Sequence, residues 1–203
     1  FWFRAYTRRV LAGLRHAQVV LHSTQFVRAE ILRYALVPAE RLVHAPYGIA
    51  PEFAAQPAQG EGLPAGASHL KEARFVLHSG SCIPRKRIDV LLALFARVRQ
   101  KQGELRLVKV GGDWSPEQRA QIERLGVSAA VTHVKDISRS ELAALYRRAA
   151  LVLQPSEAEG FGLPVLEALA CGAPVLASDI GGHAELDAIS EGELGDLLAL
   201  GSV

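Results

Sequence analysis

The segment 155–182, PSEAEGFGLPVLEALACGAPVLASDIGG, constrains the fold of this chain more than any other stretch. Ahead of it, Leu151-Val152-Leu153 is a short apolar run suited to a buried parallel strand. A loop with two glycines and two carboxylates follows. Pro164 is expected at the first helical position, where its missing N–H costs nothing. Val165, Leu166, Leu169 and Ala170 continue a helical apolar face, which Gly172 stops. Residues 174–177 read as the next strand. The predicted unit is β–loop–α–β, its loop at the carboxyl end of a strand, where open α/β sheets bind ligands.

The loop carries specific chemistry. Glu159 and Glu167 are separated by seven residues, one in the loop and one in the first helical turn. Gly160 and Gly162 lie between them and let backbone amides approach a ligand. A helix start adds unpaired N–H groups and a positive dipole end, suited to phosphate. Carboxylates accept hydrogen bonds from sugar hydroxyls. Each Glu alone also fits a plainer role, as a solvated loop residue or as one that favours the helix dipole.

The remaining chain supports a regular α/β alternation. Residues 1–17 place Phe3, Tyr6, Val10 and Leu14 at helical spacing, with Arg4, Arg8 and Arg9 on other faces, as a core-packing helix with a solvated side would, a membrane-surface helix being the alternative. A strand is predicted over 18–22, then a helix capped by Ser23 with Val27, Ile31 and Tyr34 inward, and a strand over 42–44. Residues 54–72, rich in Ala, Gly, Pro and Gln, have linker composition. Strands follow at 75–79, 105–110, 131–134, 151–154 and 174–177, with helices at 87–101, 116–125, 139–149 and 164–171. The helix at 87–101 buries Ile88, Leu91, Leu92, Phe95 and Val98. Ser115 and Ser138 open capping boxes. This pattern predicts a parallel sheet with right-handed crossovers. The expected organisation is the end of a first domain over 1–53, a linker over 54–72 and a sheet domain over 73–203.

Composition excludes several classes. A net charge of +2 in 203 residues is too small to argue for nucleic acid. No run of 18 apolar residues is present, and the opening Phe-Trp-Phe-Arg has no leader-like apolar core. Two cysteines, Cys82 and Cys171, make no disulfide framework and fit a reducing compartment. No Asp-x-Asp pair, phosphate-loop motif, His-Glu-x-x-His or G-x-S-x-G occurs. His22, His44, His78 and His133 fall in predicted strands and read as structural groups. No methionine occurs, even at position 1, so a processed chain or a fragment is expected. Residues 1–50 are accordingly expected to leave apolar helix faces uncovered, and 190–203 lack a strand-then-helix pattern.

The string EGFGLPVLEALACGAPVLASD, within 159–179, resembles the signature of the retaining nucleotide-sugar glycosyltransferases of group 1, or family 4. The resemblance extends over about residues 18–186. It implies a glycosyltransferase-B fold: two Rossmann-like domains facing a cleft, here the end of the acceptor-side domain and most of the donor-binding one. It implies that Glu159 contacts the donor sugar, Glu167 the nucleotide ribose, and that Phe161, Gly162 and Leu163 hold sugar and diphosphate. The family's G-R-x-x-P-x-K-G pattern is matched by Gly80, Pro84 and Lys86. Ser81 stands at the arginine position and Arg87 at the final glycine, which leaves Arg85 or Arg87 as substitute cation. Gly111 and Gly112 fall at the next ligand-facing turn, and Val134 and Lys135 where the family holds the base. Gly48 is placed at the cleft.

The activity so implied is transfer of a sugar, with retention, from a nucleoside diphosphate sugar to a hydroxyl of a sugar, lipid or polysaccharide. Glu159 and Lys86 are the catalytic candidates, and no metal or further cofactor is expected. The implied setting is cytoplasmic, with peripheral association of the full-length protein at the inner membrane face. A nucleotide-sugar hydrolase or epimerase is the alternative, as is a nucleotide-sugar binding module without turnover. One concave pocket is expected to gather Glu159, Glu167, Lys86 and the Gly111-Gly112 turn.

Overall fold

Five short runs pair side by side, and the three central ones are buried along nearly their whole length, as strands covered on both faces are. The structure, a computed structural model, describes residues 2–57 and 60–187. The expectation for 190–203 lies outside them. The main sheet contains β3 (Phe75–Ser79), β4 (Arg106–Val110), β5 (Val131–Val134), β6 (Leu151–Gln154) and β7 (Val175–Ala177). They are all parallel, in the order β5-β4-β3-β6-β7. A smaller parallel pair joins β1 (Val20–His22) to β2 (Leu42–His44).

Alternation along β3 assigns the two faces. Phe75 and Leu77 enter one apolar cluster with Val108, Val152, Tyr146 and Leu166, while Val76 enters the other with Leu107, Leu91 and Phe95. The first cluster is covered by α5 (Arg139–Arg148) and α6 (Leu163–Ala170), the second by α3 (Ile88–Arg99) and α4 (Pro116–Arg124). The chain winds outward from β3 to β5, then crosses back to β6. The strand order therefore reverses between β3 and β6, and the crevice at their carboxyl ends is where such sheets take ligands. The capping boxes at Ser115 and Ser138 both form.

Several local expectations are corrected. Thr24, not Ser23, caps α2 (Gln25–Arg33), its side chain accepting from the Val27 amide. Tyr34 follows the last helical residue, where Ala35 has φ 47°, and is therefore exposed instead of inward. Helix α3 begins one residue late because Arg87 takes a left-handed conformation, and Val98 is exposed. Helix α6 begins at Leu163, so Pro164 is its second residue, Glu167 lies in its second turn and Leu169 faces outward.

Residues 65–70, expected within a linker, form a 3-10 turn whose Ala67 and Leu70 are wholly buried in the first cluster. Helix α1 (Trp2–Leu14) does not pack into a core: Tyr6 is 69% and Val10 49% exposed. No side chain of α2 is fully buried either, but Val27, Ile31 and Leu32 are half-buried, so the uncovered apolar face expected here is found on α1 and only in part on α2. No helix among the described residues is long and apolar enough to cross a membrane.

Candidate functional site

The site is built where β3 and β6 end. Two glycine turns meet there: a Cβ on Gly111 would lie 2.8 Å from the Gly80 carbonyl, and one on Gly112 3.1 Å from Ser81 Cα. The loops after β3 and β4 are thus packed backbone to backbone, which only these glycines allow. Residues 84–86 form one 3-10 turn, after which Arg87 has φ 48°.

That backbone reversal separates three successive cations. Arg85 and Lys86 both reach across to Glu159, with Nη1–Oε2 at 2.6 Å and Nζ–Oε1 at 2.5 Å. Arg85 also donates to the Ala158 carbonyl at 2.8 Å, and the Glu157 amide donates back to the Arg85 carbonyl at 2.7 Å. Arg87 turns away and pairs with Asp89 on the outer side. The Lys86–Glu159 pair is buried, with side-chain exposures of 8% and 9%. Burial alone would raise the Glu159 carboxyl, but the hydrogen bonds from Lys86 and Arg85 outweigh it and the net direction is down.

A polar floor lies beneath this pair. Gln154 donates to the Ser79 carbonyl at 3.0 Å, joining the ends of β6 and β3. His78 is fully buried, and its Nδ1 donates to the Leu153 carbonyl at 2.9 Å. Burial lowers its pKa to about 4, so the ring stays neutral, and its Nε2 has no partner among the described residues.

The α6 start forms the next wall. Gly162, at φ 90°, is its N-cap, and the buried Phe161 ring meets Tyr47 edge-on at 5.3 Å between centroids. Thr24 donates to the Gly160 carbonyl at 2.8 Å and ties the loop to α2. Further along α6, Glu167 accepts from the Tyr146 hydroxyl at 3.1 Å. Burial raises Glu167 to about 7, with the tyrosine bond pulling modestly the other way. Val134 is buried at the end of β5, its carbonyl accepting from Gly111. Lys135 is drawn to Asp113 at the surface, at 2.8 Å.

The expected site residues stand at the carboxyl edge in four groups, Val134 and Lys135 at the end of β5 being one. Gly80, Ser81, Gly111 and Gly112 form the glycine contact; Arg85, Lys86 and Glu159 form the charge cluster; Phe161, Gly162, Leu163 and Glu167 lie along α6. A cavity of about 470 Å³ opens beside Glu159, lined also by Phe161, Gly162, Tyr47 and His22. Contrary to the expectation of one shared pocket, Lys86, Glu167, Gly111 and Gly112 do not line it. Sequence reasoning missed Tyr146 and Thr24, whose side-chain partners Glu167 and Gly160 are distant in the chain. It also passed over Gly182, where a Cβ would lie 2.4 Å from the Glu159 carbonyl oxygen. The Gly181-Gly182 pair was the available signal.

Residues 65–195 match the family described as glycosyl transferases group 1. D-inositol 3-phosphate glycosyltransferase of Segniliparus rotundus is 44% identical over 108 residues, 51% of this chain and 24% of that protein. The sucrose-phosphate synthase structure from Thermosynechococcus elongatus is 28% identical with TM-score 0.69, covering 85% of this chain and 43% of that one. The HepE structure from Anabaena, in complex with UDP and glucose, superposes with TM-score 0.72 at 23% identity, over 95% and 55%. The matches span about a quarter to a third of the first curated relatives, 24–32% of their length.

Proposed function

The chain belongs to the group 1 glycosyl transferases, and from that premise we propose that it carries the donor side of a sugar transfer. The donor is a nucleoside diphosphate sugar, the acceptor a hydroxyl of a sugar, lipid or polysaccharide, and the anomeric configuration is retained. The observation that carries this reading is the convergence of Lys86 and Arg85 on one buried carboxylate beside the α6 start. Glu159 sets one negative charge against these two cations, which leaves the cluster a net positive charge for a diphosphate to meet. The relatives named glycosyltransferases and mannosyltransferase support the class.

Catalysis in this reading is positioning plus charge neutralisation. The bond from the anomeric carbon to the diphosphate oxygen breaks, its electron pair leaving with the diphosphate. Lys86, Arg85 and the amides at the α6 start supply the positive charge that stabilises that departure. The acceptor oxygen bonds to the same carbon from the same face. It then lies beside the departing phosphate oxygen, which takes its proton. No enzyme nucleophile is required. Glu159 orients the sugar and Glu167 the ribose. The proposal needs no metal, and it keeps a cytoplasmic setting with peripheral attachment at the inner membrane face.

The test is calorimetric titration with UDP and GDP at low salt, because screening shrinks charge effects. A hydrogen bond to a charged group is worth roughly 1.5–3 kcal/mol, so Lys86→Ala is expected to weaken the bound nucleotide about ten- to hundredfold. Arg85→Ala is expected to lose a smaller but clear share, since Arg85 is half exposed. Arg87→Ala is expected to bind like the parent, its guanidinium being held by Asp89. Unchanged binding by Lys86→Ala places the phosphate elsewhere and ends this reading.

A further inference from the structure

His78, near the carboxyl end of β3, is wholly buried, and half of its hydrogen-bonding capacity is idle. Its Nδ1 donates to the Leu153 carbonyl at 2.9 Å, so Nε2 of the neutral ring is left as an acceptor. That atom is buried and has no hydrogen-bond partner among the described residues. Burial, more than the neighbouring charges of Lys109 and Lys86, lowers the pKa to about 4 and keeps Nε2 an acceptor at neutral pH. A Cβ on Gly80 would lie 3.6 Å from this nitrogen, 3.5 Å from Lys86 Cε and 3.7 Å from Lys86 Nζ. Imidazole and ammonium therefore face one space, kept clear because residue 80 has no side chain. A buried acceptor left without a donor is unfavourable, and here a donor stands across a gap.

Lys86 has N–H groups to spare. An ammonium carries three, and Glu159 Oε1 accepts one at 2.5 Å. In the donor-binding reading above, on which this inference rests, a diphosphate accepts a second. We propose that His78 is a positioning residue for Lys86, its Nε2 accepting the third N–H when a diphosphate draws Nζ into the space beside Gly80. Held from three sides, the ammonium no longer swings on its flexible four-carbon stem. Positive charge is then fixed in advance where the departing diphosphate develops its own. Such fixing counts for more in this chain, because Ser81 offers one neutral donor where the family pattern has arginine. His78 touches no phosphate in this arrangement and acts only through Lys86.

The test uses two substitutions that divide the imidazole between them. His78→Asn keeps an amide N–H near the Nδ1 position for the Leu153 carbonyl and offers nothing at Nε2, whereas His78→Gln places an amide oxygen near Nε2. Each is made in the parent and in a Lys86→Ala background, and all are titrated calorimetrically with UDP and GDP at low salt. His78→Asn is expected to weaken the bound diphosphate about tenfold in the parent and to cost nothing further once Lys86 is alanine. His78→Gln is expected to recover most of the parental affinity. The proposal is overturned if His78→Asn binds like the parent, or if its loss is as large in the Lys86→Ala background, which marks a merely structural role. Should His78→Asn melt below the titration temperature, 15N NMR of the parent's His78 ring decides. Nε2 is expected to shift towards a hydrogen-bonded acceptor when UDP or GDP is added, and an unmoved resonance overturns the proposal. A parent that binds neither diphosphate ends the donor reading and this inference with it, whereas binding that is indifferent to His78 ends this inference alone.

Discussion

Arg85, Lys86 and Arg87 show how much one backbone angle decides. Their charge was legible in the sequence, but their separation depends on the left-handed conformation of Arg87, which no residue type announces. Glu167 is a similar case. Its place, with seven residues between it and Glu159, was readable, whereas its contact with Tyr146 joins positions on two helices. That contact has a consequence for stability. A carboxyl near 7 in the folded chain and about 4.5 in the unfolded one binds its proton more tightly when folded. Its contribution is fully present below pH 4.5 and is lost as pH rises towards 7, levelling off above. The loss is on the order of 3 kcal/mol, from the 1.36 kcal/mol carried by each pH unit of difference. Glu167→Gln carries no such ionisation. Thermal melts of parent and variant are expected to coincide near pH 4.5 and to diverge with rising pH, the variant becoming the more stable. A constant difference from pH 5 to 8 means that Glu167 ionises normally.

At the scale of elements, the sheet and its helices were legible because the strands are short and mostly apolar, β3 and β4 run straight into glycine, and both serine capping boxes formed as written. Two kinds of information were absent. Ala67 and Leu70 lie in a segment of linker composition without periodicity, yet they are wholly buried; a single turn has too few residues to show a period. The two glycines that open α7 (Gly181–Asp187) carry a second hidden constraint. A Cβ on Gly182 would press to 2.4 Å from the Glu159 carbonyl oxygen, and one on Gly181 to 2.0 Å from the Phe26 ring. The first contact is with backbone and has no rotamer to yield, so Gly182→Ala must move the 159–162 loop. Overpacking of this kind costs about 1–3 kcal/mol. The expected result is a lower melting temperature together with weaker nucleotide-sugar binding. A substitution that changes neither shows that α7 can retreat from the loop.

Across the whole molecule, residues 2–50 meet the main sheet largely at the site: Thr24 on Gly160, Phe26 against Gly181, Tyr47 on Phe161. The following stretch is held at a different place. Arg147, in the last turn of α5, forms a two-pronged ion pair with Glu61, one prong being Nε–Oε1 at 3.0 Å. The same guanidinium donates to the Ala54 and Glu52 carbonyls. Both side chains are under a tenth exposed, at 9% and 8%, so the pair is desolvated and its partners cannot fall back on water. Removing one member strands the other, which typically costs 3–5 kcal/mol, whereas replacing both with apolar groups is often neutral. Arg147→Met is therefore expected to lower the melting temperature by about 6–20 °C in a chain of this size. Adding Glu61→Leu is expected to recover much of that loss, although the Ala54 and Glu52 carbonyls lose their donor in both variants. A double-mutant cycle by thermal or urea unfolding reads the coupling directly. Additive losses, with no recovery in the double variant, mean that Arg147 acts through the two carbonyls alone. An unchanged melt for Arg147→Met means that residues 52–61 are held to α5 by the apolar contacts of Phe53 with Tyr146.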